Sequence, residues 1–429
     1  MYWNAELETL DPAALQGLQL TRLRQTVARA AASPFYGRRF KEAGIDADHL
    51  KSLEDVRRLP FTTKDDLRAH GLQMLTLPLA DMVRLHASSG TTGQATVIYY
   101  TRADIEAWAD LVARSLYMTG MRNTDVFQNM MGYGLFTGGL GLHYGAERLG
   151  ALTIPIGAGN SQRQLQLMQQ FGTTAIHIIP SYALYLLKTF ADQNLDPRDL
   201  PLRLAFIGAE PHSEDMRRRI EAAYGLKAYN SYGLSEMNGP GVAFECPEQN
   251  GMHVWEDSFL MEVLYPNTLE PVPPGETGEL VFTNLTRQGM PLLRYRSRDL
   301  ASYDDTPCAC GRSFRRLSRI MGRTDDMLII KGVNIFPMQI EKVLLAMPEV
   351  GTQYLVELTR KDFSDVMLVK VEVQQNFFQE DLRHLKQLQK RITIALKNEL
   401  LVTPQVELVE PNTLPRTEGK AQRVIDKRT

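Results

Sequence analysis

Cysteine is scarce in this sequence of 429 residues, which contains only three. A small, odd number of cysteines in a long chain excludes a disulfide framework and favours a reducing cytoplasm. An excess of charge is also missing, since 48 basic and 50 acidic residues leave a formal net charge of −2. Chains that bind nucleic acid as their main task are usually strongly basic, so we expect no nucleic-acid partner.

Long apolar runs are absent as well. The most apolar stretch, residues 174–190, is interrupted by His177 and Pro180 and is short for a membrane span. The first twelve residues carry acids and no apolar core, unlike a secretory signal. We therefore expect no membrane association. Hydrophobic residues nevertheless make up 44% of the chain, enough for the cores of roughly two to four domains.

Short apolar runs alternate with helix-like segments between residues 85 and 300. Examples of the runs are residues 175–179, 202–207 and 279–284, whereas residues 11–70 show helical spacing of leucines from Leu15 to Leu23 and on to Val27. Such alternation is typical of α/β proteins with layered sheets and helices. The sequence therefore predicts a large N-terminal α/β domain.

The last hundred residues show a different order of elements. Strands are predicted at 327–331, 352–358, 366–373 and 406–409, with helices at 337–347 and 382–396. The order β-α-β-β-α-β is that of a small ferredoxin-like α+β unit. We therefore predict domains at residues 1–323 and 324–429.

A loop rich in glycine and hydroxyl groups begins at Ser88. Its members are Ser88, Ser89, Gly90, Thr91, Thr92 and Gly93. Glycines let several backbone N–H groups approach one anion, so the loop is a candidate phosphate site, although a polar surface turn has the same composition. It is not a P-loop of the GxxxxGK[ST] type, because no lysine follows Gly93.

Further motifs follow this loop in a characteristic order. They are 208–211 (GAEP), 229–236 (YNSYGLSE), 275–280 (GETGEL), 294–299 (RYRSRD), 322–326 (GRTDD) and 416–420 (RTEGK). In this order the chain resembles the adenylate-forming superfamily of acyl-CoA synthetases. Residues 60–67 (PFTTKDDL), 133–141 (YGLFTGGLG), 253–257 (HVWED) and 331–337 (KGVNIFP) are similar to the phenylacetate–CoA ligase family within it.

The resemblance implies a ligase that uses ATP, Mg²⁺ and coenzyme A. An aryl acid would be converted to an acyl-adenylate, and the acyl group would then pass to the CoA thiol. Lys420 matches the family's catalytic lysine, Thr91 matches a hydroxyl of the phosphate loop, and Glu236 matches a Mg²⁺ ligand. A hard cation prefers such carboxylate oxygens. The plain alternatives are a surface lysine near the chain end and an acid at the start of a helix.

The resemblance also implies a nucleotide-binding set beyond the loop. Asp299 would hold the ribose hydroxyls, since a carboxylate accepts two hydrogen bonds, or it would form a salt bridge with Arg296 or Arg298. Asp325 would be the hinge of a mobile C-terminal domain, or an ordinary turn acid. The remaining positions are Gly208, Ala209, Glu210, Pro211, Asn230, Ser231, Tyr232, Arg323 and Lys331.

The acyl pocket departs from the family pattern. The implied lining residues are Met131, Tyr133, Phe136, Gly138, Ser231 and Pro240. Met131 stands where an aromatic residue is expected, and Ser231 where an aliphatic residue is expected. Methionine adapts its shape and serine removes bulk, so a substituted phenylacetate or an indoleacetate is an alternative to phenylacetate. The aromatic residues could equally be ordinary core.

All three cysteines fall near two places in the sequence, Cys246 with His253 seven residues later and the pair Cys308 and Cys310 some fifty-five residues further on. Cys246, Cys308 and Cys310 with His253 match the ligand set of a closed structural zinc site, although the Cys-x-Cys spacing is tighter than in standard zinc fingers. Three unrelated thiols are the alternative. If zinc binds, it is expected to be structural.

Two other functions fit the same motifs. The chain could load its acyl group onto a carrier-protein thiol, or it could be a silent binding protein that keeps the fold. Against a silent protein, the charged residues of every motif are intact. The expected partners are small molecules, and similarity indicates a homodimer.

Overall fold

The computed structural model describes residues 1–88, 95–330, 333–361, 364–378, 382–415 and 423–428. The chain divides into two compact units. The first contains Met1–Ile178, Leu200–Ala209 and Tyr229–Ile320, and the second contains Ile179–Asp199, Glu210–Ala228 and Met321–Thr429. The boundary between residues 323 and 324 stays a prediction.

The first unit contains α-helices together with one mixed sheet and two antiparallel sheets. Its α-helices are α1 (Ala5–Glu8), α2 (Pro12–Ala31), α3 (Pro34–Ala43), α4 (Lys64–His70), α5 (Arg102–Met118), α6 (Thr137–Leu149) and α7 (Ser161–Phe171). Its strands are β1 (Arg84–Ser88), β2 (Thr96–Tyr100), β3 (Val126–Asn129), β4 (Leu152–Ile154), β5 (Ala175–Ile178), β6 (Leu204–Ile207), β7 (Lys227–Tyr232), β8 (Ala243–Glu245), β9 (Met252–Val254), β10 (Phe259–Leu264), β11 (Gly278–Asn284), β12 (Tyr295–Ala301), β13 (Tyr303–Asp304) and β14 (Arg316–Leu317).

The main sheet of this unit has nine strands in the order β13-β14-β9-β8-β7-β6-β5-β3-β4. The strands β4, β3, β5 and β6 are parallel, whereas β7, β8, β9, β14 and β13 pair antiparallel. β5 and β6 are buried along their whole length, as expected for parallel strands covered on both faces. The predicted runs at 175–179 and 202–207 are these two strands, so the α/β class is confirmed.

Two smaller sheets carry site residues of the first unit. β1 and β2 form an antiparallel hairpin in which Ser88 is paired with Thr96. β10, β11 and β12 form an antiparallel sheet with a register shift between Glu279 and Val281. The predicted run at 279–284 lies in β11.

Local signals explain where the helices begin. In α2, the side chain of Asp11 accepts a hydrogen bond from the N–H of Ala14, and Pro12 occupies the first turn. Leu15, Leu23 and Val27 are buried, as the spacing predicts, whereas Leu18 and Leu20 are only partly buried. The face of α2 that packs on the core is therefore narrower than the leucine pattern indicates.

The second unit contains a smaller α+β body. Its α-helices are α8 (Pro180–Asp192), α9 (Glu214–Tyr224), α10 (Pro337–Leu345), α11 (Gln375–Phe378) and α12 (Leu382–Leu400). Its strands are β15 (Gly322–Arg323), β16 (Leu328–Ile330), β17 (Val333–Ile335), β18 (Val350–Lys361), β19 (Ser364–Val373), β20 (Gln405–Val409) and β21 (Val424–Asp426).

The sheet of the second unit differs in one respect from the predicted ferredoxin-like order. Its strands run β20-β19-β18-β21, and β21 pairs parallel with β18. The predicted first strand, at 327–331, instead forms a separate hairpin from β16 and β17. β21 has only three residues, which is too short for an alternating pattern to reveal it. The other predicted elements of this region are confirmed.

Among the described residues, no helix has the length and apolar character needed to cross a bilayer.

Candidate functional site

The paired strands β1 and β2 flank the predicted phosphate loop. Ser88 closes β1 and Thr96 opens β2, and the side-chain oxygens of both are buried without a hydrogen-bond partner in the described part of the chain. His86, on the same strand, lies 3.1 Å through its Nδ1 from the carbonyl oxygen of Leu135. Because a carbonyl only accepts, Nδ1 carries the proton, and burial lowers the pKa of this imidazole.

The ends of β6 and β7 meet at the predicted adenine shelf. A Cβ atom at Gly208 would lie 2.6 Å from the backbone oxygen of Ser231, so only glycine allows this approach. The hydroxyl of Ser231 donates to the carbonyl of Ile207 at 3.1 Å. Ala209 follows in the left-handed region with φ +65°. The buried Asn230 donates its backbone N–H to Glu245 at 2.7 Å.

Glu236 lies in a short turn, Ser235–Met237, that follows β7. Its side chain is 6% exposed, and its carboxylate has no hydrogen-bond or ion-pair partner among the described residues. A buried carboxylate costs free energy unless a positive group balances it. The site therefore fits Mg²⁺, which takes carboxylate oxygens and keeps phosphate oxygens and water as its other ligands.

Asp299 and Tyr232 are joined in the first unit. The Tyr232 hydroxyl donates to Oδ2 of Asp299 at 2.7 Å, and both side chains are buried. Arg296, one of the predicted salt-bridge partners of Asp299, instead donates to Glu279 at 3.0 and 2.6 Å. The hydrogen bond fixes the phenol ring beside the carboxylate that is predicted to hold ribose.

Predicted pocket residues also lie close together. The thioether of Met131 lies over the first turn of α6, because a Cβ at Gly138 would be 3.6 Å from its Cε. Pro240 packs against the same helix, and its carbonyl accepts a hydrogen bond from the Trp108 indole at 2.6 Å. Phe136 caps α6 and is 47% exposed.

Tyr133 is held by a polar chain along α6. Glu147 accepts from Nε2 of His143 at 3.0 Å, so in the neutral ring Nδ1 accepts from the Tyr133 hydroxyl at 3.3 Å. Burial raises the pKa of Tyr133 to about 12, so the phenol is neutral. The orientation of this ring is therefore set by residues that the sequence motifs do not include.

The predicted zinc ligands converge. Candidate ligand atoms of Cys246, His253, Cys308 and Cys310 all lie within 4.8 Å of one another. The Sγ atoms of Cys246 and Cys308 are 3.8 Å apart, and Sγ of Cys310 is 3.2 Å from Nε2 of His253. His253 Nδ1 is 3.0 Å from the carbonyl of Phe314, so in the neutral ring Nδ1 carries the proton and Nε2 is able to bind a metal. Hydrogen bonding with Cys246 lowers the pKa of Cys310, which favours its thiolate form.

The second unit holds Glu210, Pro211, Arg323 and Asp325. Glu210 accepts the N–H of Ser181 at 2.7 Å, at the start of α8. Its carboxylate therefore stabilises a helix end as well as belonging to the predicted shelf motif. Arg323 donates to both carboxylate oxygens of Asp325, at 2.8 and 3.0 Å.

Several predicted site residues lie outside the described residues. They are Lys420, Lys331 and the loop members Ser89, Gly90, Thr91, Thr92 and Gly93. Their roles stay predictions.

Two residues of this region do not belong to any of the sequence motifs. Tyr100 donates through its hydroxyl to the carbonyl of Ser235 at 3.0 Å, and Arg287 donates to the carbonyl of Glu236 at 2.7 Å. Both hold the turn that carries Glu236. Tyr100 reads as an ordinary strand residue, and Arg287 lies in a loop of no distinctive composition, so neither gave a sequence signal.

Comparisons with known proteins identify the family. A family model described as AMP-binding enzyme matches residues 32–286, and another, AMP-binding enzyme C-terminal domain, matches residues 332–428. The chain is 45% identical to phenylacetate-coenzyme A ligase of Thermus thermophilus over 444 aligned residues, which cover 100% of both chains. Identity to the Escherichia coli K12 protein of the same name is 42%, over 100% of this chain and 99% of that one.

A solved structure extends the comparison to three dimensions. Crystalline 2-hydroxyisobutyryl-CoA ligase, in the postadenylation state with 2-HIB-AMP, matches with a TM-score of 0.94 at 33% identity. The match covers 100% of this chain and 92% of that chain.

Proposed function

Because the chain belongs to the AMP-binding enzymes and, within them, to the phenylacetate–coenzyme A ligases, we propose that it activates phenylacetate or a related aryl acid with ATP and transfers the acyl group to coenzyme A. The observation that carries this proposal is the carboxylate of Glu236. It is 6% exposed, has no partner among the described residues and lies in the turn after β7. A buried carboxylate without a partner is suited to bind the metal ion that accompanies a nucleoside triphosphate.

In the first half-reaction, the aryl carboxylate attacks the α-phosphorus of ATP and pyrophosphate leaves. An anion approaches a polyanion, so the barrier is largely electrostatic. Mg²⁺ bound at Glu236 would neutralise phosphate charge. Asp299, oriented by Tyr232 at 2.7 Å, would accept hydrogen bonds from the ribose hydroxyls. Lys420 would bridge the carboxylate and the α-phosphate, with Thr91 and the other loop residues holding phosphate oxygens.

In the second half-reaction, the CoA thiolate attacks the acyl carbon and AMP leaves. We assign Lys331 to the CoA-facing surface and Asp325 to the hinge of the C-terminal domain, as the family resemblance implies. Asp325 is paired with Arg323 through two hydrogen bonds. Arg323 would therefore have to exchange this partner in order to contact the nucleotide.

The acyl pocket would be formed by the loop before α6 and the first turns of that helix. Met131, Gly138 and Pro240 lie against this helix, and Tyr133 is oriented by His143. A thioether and glycines can accommodate a flat ring together with a substituent. We therefore include substituted phenylacetates and indoleacetate among the proposed substrates.

We also propose that zinc binds Cys246, His253, Cys308 and Cys310. The ligand atoms lie within 4.8 Å of one another, and three thiols with one imidazole form a closed tetrahedral set. With no open position for substrate, the role would be structural. Metal analysis of protein purified without chelator should give close to one zinc per chain, and less than about 0.2 would contradict the site.

The test of function is a panel of aryl carboxylates assayed for ATP–pyrophosphate exchange and for CoA-dependent release of AMP. We expect exchange that depends on the acid, and AMP release that depends on CoA. Exchange with no AMP release until a carrier protein replaces CoA would favour the carrier-loading alternative. No exchange with any acid would favour a silent binding protein. The cytoplasmic location and the homodimer also stay predictions.

A further inference from the structure

Arg287 is a buried cation next to the Glu236 turn. It lies in the loop between β11 and β12, and its side chain is 2% exposed. No carboxylate lies within 4.0 Å of its guanidinium group in the ranges that the structure describes. Burial of an unpaired charge is costly, so this position is hard to explain by packing alone.

The guanidinium group holds the turn from two sides. Nη1 donates to the carbonyl of Glu236 at 2.7 Å, and Nη2 donates to the side-chain oxygen of Asn238. Asn238 is in the left-handed region with φ +60°, so the second bond supports a strained end of the turn. The Cζ atom of Arg287 lies 5.0 Å from the centroid of the Tyr100 ring, and the Tyr100 hydroxyl donates a hydrogen bond to the Ser235 carbonyl.

The loop that carries Arg287 is itself anchored. Asp104 accepts the backbone N–H groups of Gln288 at 2.6 Å and Gly289 at 3.0 Å. The cation is therefore fixed by hydrogen bonds on either side, and its position does not depend on contact with the Glu236 carboxylate.

Arg287 contacts Glu236 through its backbone carbonyl and not through its carboxylate. Arg287, Glu236, Asp104 and Arg84 all act electrostatically on the Tyr100 hydroxyl, so Arg287 and Glu236 belong to the same charged neighbourhood. A direct ion pair would occupy the oxygens of Glu236. By binding the backbone carbonyl instead, Arg287 places positive charge near this carboxylate and leaves both oxygens available.

We propose that Arg287 is a positioning residue for adenylation, which holds the Glu236 turn so that the carboxylate is free and correctly oriented for the Mg²⁺ of MgATP. The proposal rests on the proposed function, because it assigns the metal of the ATP site to Glu236. Asn238 and Tyr100 act with Arg287 on the same turn.

The experiment is titration calorimetry of ATP binding, with excess Mg²⁺ and with EDTA, for the intact chain and its variants. In Arg287→Met we expect the Kd for ATP in Mg²⁺ to rise at least about tenfold, because a charge-assisted hydrogen bond is lost. The Kd in EDTA should change less than about twofold. Arg287→Lys, which keeps the charge but not the fork, should be intermediate.

A matched control comes from another buried arginine of the same unit. Arg114 is 3% exposed, donates to Asp257 at 2.9 Å and lies over the Trp255 ring. Arg114→Met should lower the melting temperature without changing the ratio of the two Kd values. If Arg287→Met does not fold, Asn238→Ala removes one of the two bonds and should raise the Mg²⁺ Kd severalfold.

Equal ratios in the Arg287, Asn238 and Arg114 variants would overturn the proposal and leave Arg287 as a folding residue. Failure of the proposed function has a different signature, since the unaltered chain would then bind ATP no better with Mg²⁺ than with EDTA.

Discussion

Two buried carboxylates of the first unit have different surroundings. Oδ2 of Asp299 accepts a hydrogen bond from Tyr232, whereas the carboxylate of Glu236 has no partner among the described residues. A carboxylate already oriented by a hydroxyl suits a neutral diol, and one with both oxygens free suits a metal ion. Motif positions predicted both roles, and the local contacts supply a physical reason for the difference.

Lys420 gives the sharpest prediction for a single residue. Lys420→Ala should reduce acid-dependent ATP–pyrophosphate exchange by roughly 10²–10³-fold, because the charge that develops between carboxylate and phosphate loses its counterion. The Kd for ATP should change little, since the phosphate loop and ribose contacts remain. Lys390→Ala, at an exposed position of α12, is the control. Exchange at the unaltered rate would mean that another cation has this role.

At the scale of single elements, helix α10 carries a buried carboxyl group that lies outside the sequence motifs. Glu341 lies in α10 with 5% exposure, and its Oε2 is 3.4 Å from the Tyr354 hydroxyl on β18. Burial, with the charge of Glu210, raises the pKa of Glu341 to about 7, against the opposing effects of Arg423 and the Ser213 N–H. The packing of α10 therefore depends on pH.

The free energy of unfolding should fall as pH rises from about 4.5 to about 7. In this window the folded chain keeps a proton on Glu341 that the unfolded chain has released. Glu341→Gln removes the ionisation, so its melting temperature should exceed that of the unaltered chain at pH 8 but not at pH 5. Thermal unfolding at the two pH values measures this, and an equal difference at both would contradict it.

The segment between Cys308 and Phe314 joins the cysteine cluster to α1. Arg312 donates to Glu8 at 2.7 Å and to the carbonyl of Met1 at 2.7 Å. The side chains of Arg312 and Glu8 are fully buried. The Tyr2 hydroxyl donates to the carbonyl of Cys310 at 3.1 Å. Order in the first residues should therefore depend on metal in the cluster.

Removal of the proposed zinc ion by a strong chelator should increase hydrogen exchange of residues 2–9. Without the metal–ligand bonds, the backbone of Cys308–Cys310 would no longer be fixed. Tyr2 would then lose its acceptor, the Cys310 carbonyl, and Arg312 would lose its fixed position. The double variant Cys246→Ser, Cys308→Ser should show the higher exchange without chelator and no further change with it. Unchanged exchange in the unaltered chain on chelation would show that the N-terminal segment is held independently.

At the scale of the whole molecule, one stretch of the described chain holds several exposed apolar side chains. Between residues 72 and 85, the exposed large apolar residues are Leu72, Leu77, Leu79, Val83 and Leu85. A concentration of this kind is typical of an association surface. It gives a physical reason for the predicted homodimer.

Sedimentation velocity should therefore give about twice the chain mass of 48.5 kDa. The double variant Leu72→Glu, Leu79→Glu should sediment as a monomer, because charge is unfavourable in an apolar interface. The Leu401 side chain in the second unit is 79% exposed, and the control variant Leu401→Glu should leave the sedimenting mass unchanged. A monomer for the unaltered chain would contradict the prediction.

The alternation of apolar runs in the sequence predicted the α/β class, and the motifs predicted the family and the ligand sets, because reacting groups must be specific residue types. The glycine at 208 and the three cysteines are examples, since no other residues allow the approach to Ser231 or supply thiolates. Contacts between distant segments required the folded chain. Arg287 is 51 positions from Glu236, and β21 takes its place beside β18 through pairing that no local pattern encodes. Side-chain orientation and burial arise only when such segments pack together, so the supports of the site became visible in the tertiary structure alone.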